Sequence, residues 1–119
     1  MHRVTRRAIL LVAATAAALA CGNNALDPLP FQVSVGANTT SPSVGDTVLF
    51  TVTTQGGQLV GVETDYGDNS TEAFGTGGAR TARVVFRHAY AARGTFTMRA
   101  TVTDALAGLK DALIDIHVQ

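Results

Sequence analysis

Carboxylate, imidazole and guanidinium side chains that could do chemistry are concentrated in three short stretches. Asp65 and Asp68 flank Tyr66-Gly67, with Ser70 and Glu72 just beyond. Two carboxylates and a backbone carbonyl are hard oxygen ligands of the kind Ca²⁺ takes, but Ca²⁺ fills a shell of roughly six to eight oxygens. Asp65 and Asp68 are therefore few for a metal site, and the preferred reading is a tight turn in which Asp68 bonds backbone N–H groups. His88 stands two residues before Tyr90. A histidine base needs a nucleophile and an orienting acid. Ser70 and Asp68 supply the types, yet nothing in the sequence places them, so a structural pair at a corner, bonding backbone groups, is preferred. Arg80, Arg83, Arg87 and Arg93 gather in one segment. They suit an acidic glycan or an acidic protein partner, against the plainer reading of a solvated strand face. Gly75-Thr76-Gly77-Gly78 lacks the following Lys-Ser/Thr and helix of a phosphate loop. No cofactor is expected, and no metal beyond the Asp65/Asp68 candidate.

The elements that must position these residues are strands. From residue 31 onward, apolar residues alternate with polar ones, and turn residues interrupt every 8–12 positions, the rhythm of an antiparallel sandwich. Seven strands are expected: Phe31–Val35, Thr47–Thr53, Leu59–Tyr66, Thr71–Phe74, Arg80–His88, Thr95–Thr103 and Leu109–Val118. Their inward sets are Val48, Phe50 and Val52; Val60, Val62, Thr64 and Tyr66; Val84 and Phe86; Phe96, Met98, Ala100 and Val102; Ile114, Ile116 and Val118. In the sixth strand the other face reads Thr95, Thr97, Arg99, Thr101 and Thr103, which belongs in water. Residues 105–116 carry some helical spacing, but Gly108 and the Ile-Asp-Ile-His-Val alternation favour a strand. If the third, sixth and seventh strands are neighbours, Glu63, Arg99 and Asp115 form an outward charge row.

Residues 1–30 have a different composition. Arg3, Arg6 and Arg7 precede an uncharged run of thirteen residues, Ala8 to Ala20, which ends in Ala18-Leu19-Ala20. A basic start, a short apolar middle and a small-residue exit make a secretory signal. The run is too short for a spanning helix of roughly 20 residues. The only cysteine, Cys21, follows directly. Here the chain resembles a lipobox, the processing signal of bacterial lipoproteins, although Ala18 and Leu19 stand in an order that departs from its usual pattern. The resemblance implies a lipid-modified Cys21 after a leader of residues 1–20, with residues 22–30 as a polar, proline-broken linker. Cleavage by an ordinary signal peptidase, leaving a free thiol, is the plainer alternative. Thr5-Arg6-Arg7-Ala8-Ile9-Leu10 also resembles a twin-arginine export signal, against a basic leader that happens to pair its arginines.

Two further blocks carry a family resemblance. Thr64-Asp65-Tyr66-Gly67-Asp68-Asn69 is similar to the Trp-Asp-Phe-Gly-Asp-Gly turn of PKD domains. His88-Ala89-Tyr90, then Gly94-Thr95-Phe96-Thr97-Met98 and Ala100-Thr101-Val102-Thr103-Asp104, resembles the second block of that family. The resemblance spans residues 31–118 and implies an all-β, immunoglobulin-like sandwich of seven strands over residues 31–119, acting in surface adhesion or as a spacer. Thr64 stands where the family has a core Trp, Phe96 where it has Tyr, and Asn69 where it has Gly.

Charge and cysteine content narrow the function. The formal net charge is zero, but without Arg3, Arg6 and Arg7 six Lys/Arg face nine Asp/Glu, a net charge of −3. A weakly acidic domain does not suit nucleic acid. One cysteine permits no disulfide within the chain, so the core alone must hold the domain. The expectation is a noncatalytic lipoprotein of the bacterial cell envelope, membrane-anchored through its lipid and periplasmic or surface-exposed, whose domain binds protein or carbohydrate. The alternatives are a spacer or accessory subunit of an envelope assembly and, more remotely, a small hydrolase.

Overall fold

The computed structural model describes residues 29–119. The leader, Cys21 and the linker up to Pro28 lie outside the described residues. Five strands follow in order: β1 (Gln32–Ala37), β2 (Thr47–Asp65), β3 (Thr71–Ala89), β4 (Gly94–Asp104) and β5 (Gly108–Val118). The described residues contain no helix. All seven expected segments are extended, but the second and third run together as β2, and the fourth and fifth as β3.

The reason is a bend in place of a break. β2 and β3 form one antiparallel ribbon whose register shifts between Gln55 and Leu59 and again between Leu59 and Gly61. Gly56 and Gly57 on β2 and Gly75, Gly77 and Gly78 on β3 allow the ribbon to kink without ending. Its first half pairs with β1, Val35 opposite Val52 and Ala37 opposite Phe50. Its second half pairs with β4, Val62 opposite Val102 and Thr64 opposite Ala100, and β4 pairs with β5. One hydrogen-bonded sheet thus curls into two layers of an immunoglobulin-like β-sandwich. The chain after β1 joins the other layer: Thr40 O and Pro42 O accept from His117 N and Gln119 N at 2.8 and 2.9 Å, and Val44 N donates to Gln119 O at 3.0 Å. That is a parallel pairing, and it covers the C-terminal end of the outer edge of β5.

The core lies between the layers. Phe50, Leu59, Tyr66, Tyr90, Met98 and Ile116 are its large members, with Val48, Val52, Val62, Val84, Phe86, Ala100, Val102 and Val118 around them. Phe96 and Ile114 are half-buried against it. The alternation therefore assigns the faces correctly, with one exception. Val60 is 51% exposed while Leu59 is fully buried, because the bulge at Leu59/Gly61 inverts the pleat for that residue. Thr64, at the position of the family's Trp, is buried opposite Ala100. The buried pair there is small, and the large aromatic ring sits two residues on, at Tyr66.

Candidate functional site: the turn and corner cluster

The two sequence blocks meet at one end of the sandwich. Between β2 and β3 the chain turns through Tyr66–Ser70, closed by Tyr66 N donating to Ser70 O at 3.0 Å. Gly67 takes φ +83° and comes so close to β4 that a Cβ there would lie 2.7 Å from Thr97 O; only glycine fits. Asn69 takes φ 70°, the one positive value at a non-glycine residue among those described, in the left-handed region that asparagine tolerates. Asp65 Oδ1 accepts from Gly67 N at 2.9 Å, and Asp68 Oδ1 from Ser70 N at 3.1 Å.

Across from this turn stands the end of β3. His88 Nε2 lies 2.6 Å from Asp68 Oδ2. The imidazole stacks on Tyr66 with ring centroids 4.0 Å apart and planes 4° from parallel, and meets Tyr90 edge-on at 4.8 Å. Tyr90 donates its hydroxyl to Tyr66 O at 2.9 Å, and Phe96 stacks on its ring at 4.7 Å. The Tyr66 hydroxyl donates to Glu72 Oε1 at 2.9 Å. Burial pushes both phenols up to about 12, so each stays a hydrogen-bond donor throughout the physiological range. Burial alone would raise the Asp68 carboxyl, but the His88 hydrogen bond, the Ser70 N–H and the imidazole's charge outweigh it and hold the group below the usual carboxylate range.

This arrangement separates the expected site residues. Asp65 and Asp68 each bond an amide of their own turn, and Glu72 is engaged by Tyr66. No group of three or more His, Cys, Asp or Glu converges among the described residues. Tyr90 bonds a backbone carbonyl as expected, whereas His88 bonds the Asp68 carboxylate and not the backbone. Ser70 is held on the Asp68 side of that pair through its own N–H. Arg83 and Arg87 share the outer face of β3, Arg80 falls on the opposite parity, and Arg93 sits in the turn before β4. The charge row does not form: Arg99 stands opposite Asp65 and Leu113, Glu63 opposite Thr101 and Ala73, and Asp115 accepts from Thr97 Oγ1 at 2.7 Å. His117 is exposed and faces Thr95 Oγ1 through Nδ1 at 3.1 Å.

A second anchoring residue has a role that the sequence reading missed. Asp104 is almost completely buried at the far end of the same layer. Its Oδ1 accepts from Leu106 N and Ala107 N at 2.8 and 2.9 Å, and its Oδ2 from Gln58 N at 2.7 Å. Burial would raise this carboxyl, but the amides of Gln58, Leu106, Ala107 and Gly57 prevail and hold it low. A side chain at Gly56 would collide with its Oδ2. The signal was the inward parity of Phe96, Met98, Ala100 and Val102, which continues to Asp104 and forces a carboxylate inside.

No family model matches the chain, and comparison with curated proteins finds no match. Solved structures do match. The PKD domain of an M14-like peptidase from a Thermoplasmatales archaeon superimposes with a TM-score of 0.66 at 25% identity, covering 77% of this chain and 96% of that one. The PKD domain of the human VPS10 domain-containing receptor SorCS2 gives 0.57 at 22%, covering 77% and 74%. The domain is PKD-like. The CARDB domain of PF1109 from Pyrococcus furiosus shares the fold at a TM-score of 0.59 and 15% identity, covering 74% of this chain and 93% of that one. In the PKD-like domain the Asp65–Ser70 turn and the His88–Tyr90 corner thus form one fixed unit.

Proposed function

We propose that this chain is a noncatalytic envelope lipoprotein, held to a membrane through Cys21, whose PKD-like domain binds a protein or a carbohydrate. The supporting observation is how the reactive side chains are used. Asp68 and His88, the acid and base best suited to chemistry, are engaged with each other, and the imidazole is stacked on Tyr66 and set edge-on against Tyr90. No ion pair, by contrast, takes up the guanidiniums of Arg80, Arg83, Arg87 and Arg93 among the described residues. Groups fixed inward serve the fold, and groups left outward are available to a partner. Two of the structural neighbours are named as domains of a peptidase and of a receptor, which supports a module that serves a larger function.

The test uses the full chain recovered from membranes. Intact mass should exceed that of the polypeptide from Cys21 onward by the mass of its acyl groups; an unmodified thiol would remove the anchor. Cross-linking and capture from envelope membranes, run beside a glycan array, should return a saturable protein or glycan ligand. A stoichiometric complex with no separable ligand would favour the accessory-subunit alternative instead.

A further inference from the structure

We infer that the C-terminal half of β3 is a docking edge for an acidic, extended protein segment, which adds to the sheet as a further strand. The inference rests on the binding-module reading and names its partner class. Three observations carry it.

The first is the free edge. β3 pairs only with β2, although it is 19 residues long. The outer edge of β5 is bonded by residues 40–44 at its C-terminal end and carries Asp111 and Asp115 along the rest, which disfavour an acidic partner, and β1 offers only six residues. The N-terminal half of β3 is interrupted by Gly75, Gly77 and Gly78, but Thr81–Ala89 has no Gly or Pro and pairs with Gln55–Thr47 without a register shift. It is a regular, pre-ordered template whose outward N–H and C=O groups can take a partner strand.

The second is charge. Four of the six Lys/Arg after residue 20 lie between Arg80 and Arg93, and none is in an ion pair among the described residues. On the outer face of this layer the rows beside Arg83 and Arg87 hold Thr53, Ser34 and Leu49, with no carboxylate to neutralise them. A second copy is a poor occupant. Antiparallel pairing centred on Val85 sets Arg83 against Arg87, and parallel in-register pairing sets each arginine against itself; like charges directly opposite are destabilising. The same charges that repel a copy admit an acidic strand.

The third is spacing. Arg83, Val85 and Arg87 alternate outward and are exposed, while Val84 and Phe86 point into the core. An added strand meets them with its own residues i, i+2 and i+4, so the favoured pattern is acidic, any residue, apolar, any residue, acidic.

The probes are synthetic peptides of sequence Thr-Glu-Thr-Val-Thr-Glu-Thr, titrated against the full chain in detergent. The peptide should bind, more weakly as salt is added. Replacing both Glu by Gln, or Arg83→Ser with Arg87→Ser in the protein, should weaken binding by about tenfold, with an unchanged thermal melt. Two N-methylated peptides, methylated on one edge or the other, should differ, one retaining affinity and one losing it. Equal binding of both methylated forms would overturn strand addition. Binding of polygalacturonate but not of peptide, abolished by the same Arg variants, would replace the protein partner with a glycan and leave the binding-module reading standing. A partner captured from membranes whose retention ignores both Arg changes would overturn this edge alone. Failure to capture any ligand would remove the broader reading as well.

Discussion

Asp68 and Asp104 hold opposite ends of the same layer by different means. Asp68 sits partly exposed in a cluster in which a histidine, two tyrosines and a glycine turn also join β2 to β3 and β4. Asp104 is buried and gathers amides from both the β2 bend and the β4–β5 turn. One end is held by many overlapping contacts, the other by one carboxylate. Loss of a shared contact is absorbed by its neighbours, whereas loss of a single hub orphans several buried donors together.

The sharpest test of that contrast is Asp104→Ala, which should lower the denaturation midpoint more than any single change at the Asp68 end; Asp104→Asn should recover only part, since its amide accepts through one oxygen. Next comes Gly67→Ala, which forces a Cβ against Thr97 O at a left-handed φ and should cost about 2 kcal/mol in chemical denaturation. Tyr90→Phe leaves the ring and removes the bond to Tyr66 O, an expected loss of about 1–2 kcal/mol. Asp68→Asn should cost about 1 kcal/mol at neutral pH, and less in high salt. A fall at Asp68→Asn as large as that at Asp104→Ala would break the comparison.

The two carboxylates also set the acid response. Both are held below their ordinary values, so the stability they contribute is complete above the unfolded-state value of about 4 and is lost as pH falls through the folded value. Thermal melts between pH 6 and pH 2 should therefore decline below about pH 4. Each Asn variant should flatten that decline, Asp104→Asn more than Asp68→Asn.

Much of this was legible before any coordinates. The period-two alternation placed Val48, Phe50 and Val52, and likewise Met98, Ala100 and Val102, on the correct face, because a pleated strand half buried in a core leaves no other choice. The motif blocks located Tyr66, Asp68, His88 and Tyr90 but not their partners. The Asp68–His88 contact links residues 20 apart in sequence and at opposite ends of the β2–β3 ribbon, where His88 pairs with Val48; only the ribbon's bend folds those ends together. Val60 was misplaced since a bulge is a local inversion that alternation cannot register. Gly56, Gly57, Gly75, Gly77 and Gly78 read as strand ends in the sequence, because a kink and a turn use the same residues. The proposed charge row failed on register too: shared faces were correct, but opposite partners depend on offsets between strands.

The short parallel pairing of residues 40–44 with the end of β5 has a mechanical consequence. Tension applied between Leu29 and Gln119 pulls these adjacent segments in opposing directions along their length. Their three backbone hydrogen bonds are then loaded in shear and must give way together, not one after another. A domain tethered at its front and gripped at its back would thus resist extension at the place where the load enters, and single-molecule pulling should find a higher rupture force along that axis than between Asn69 and Gln119.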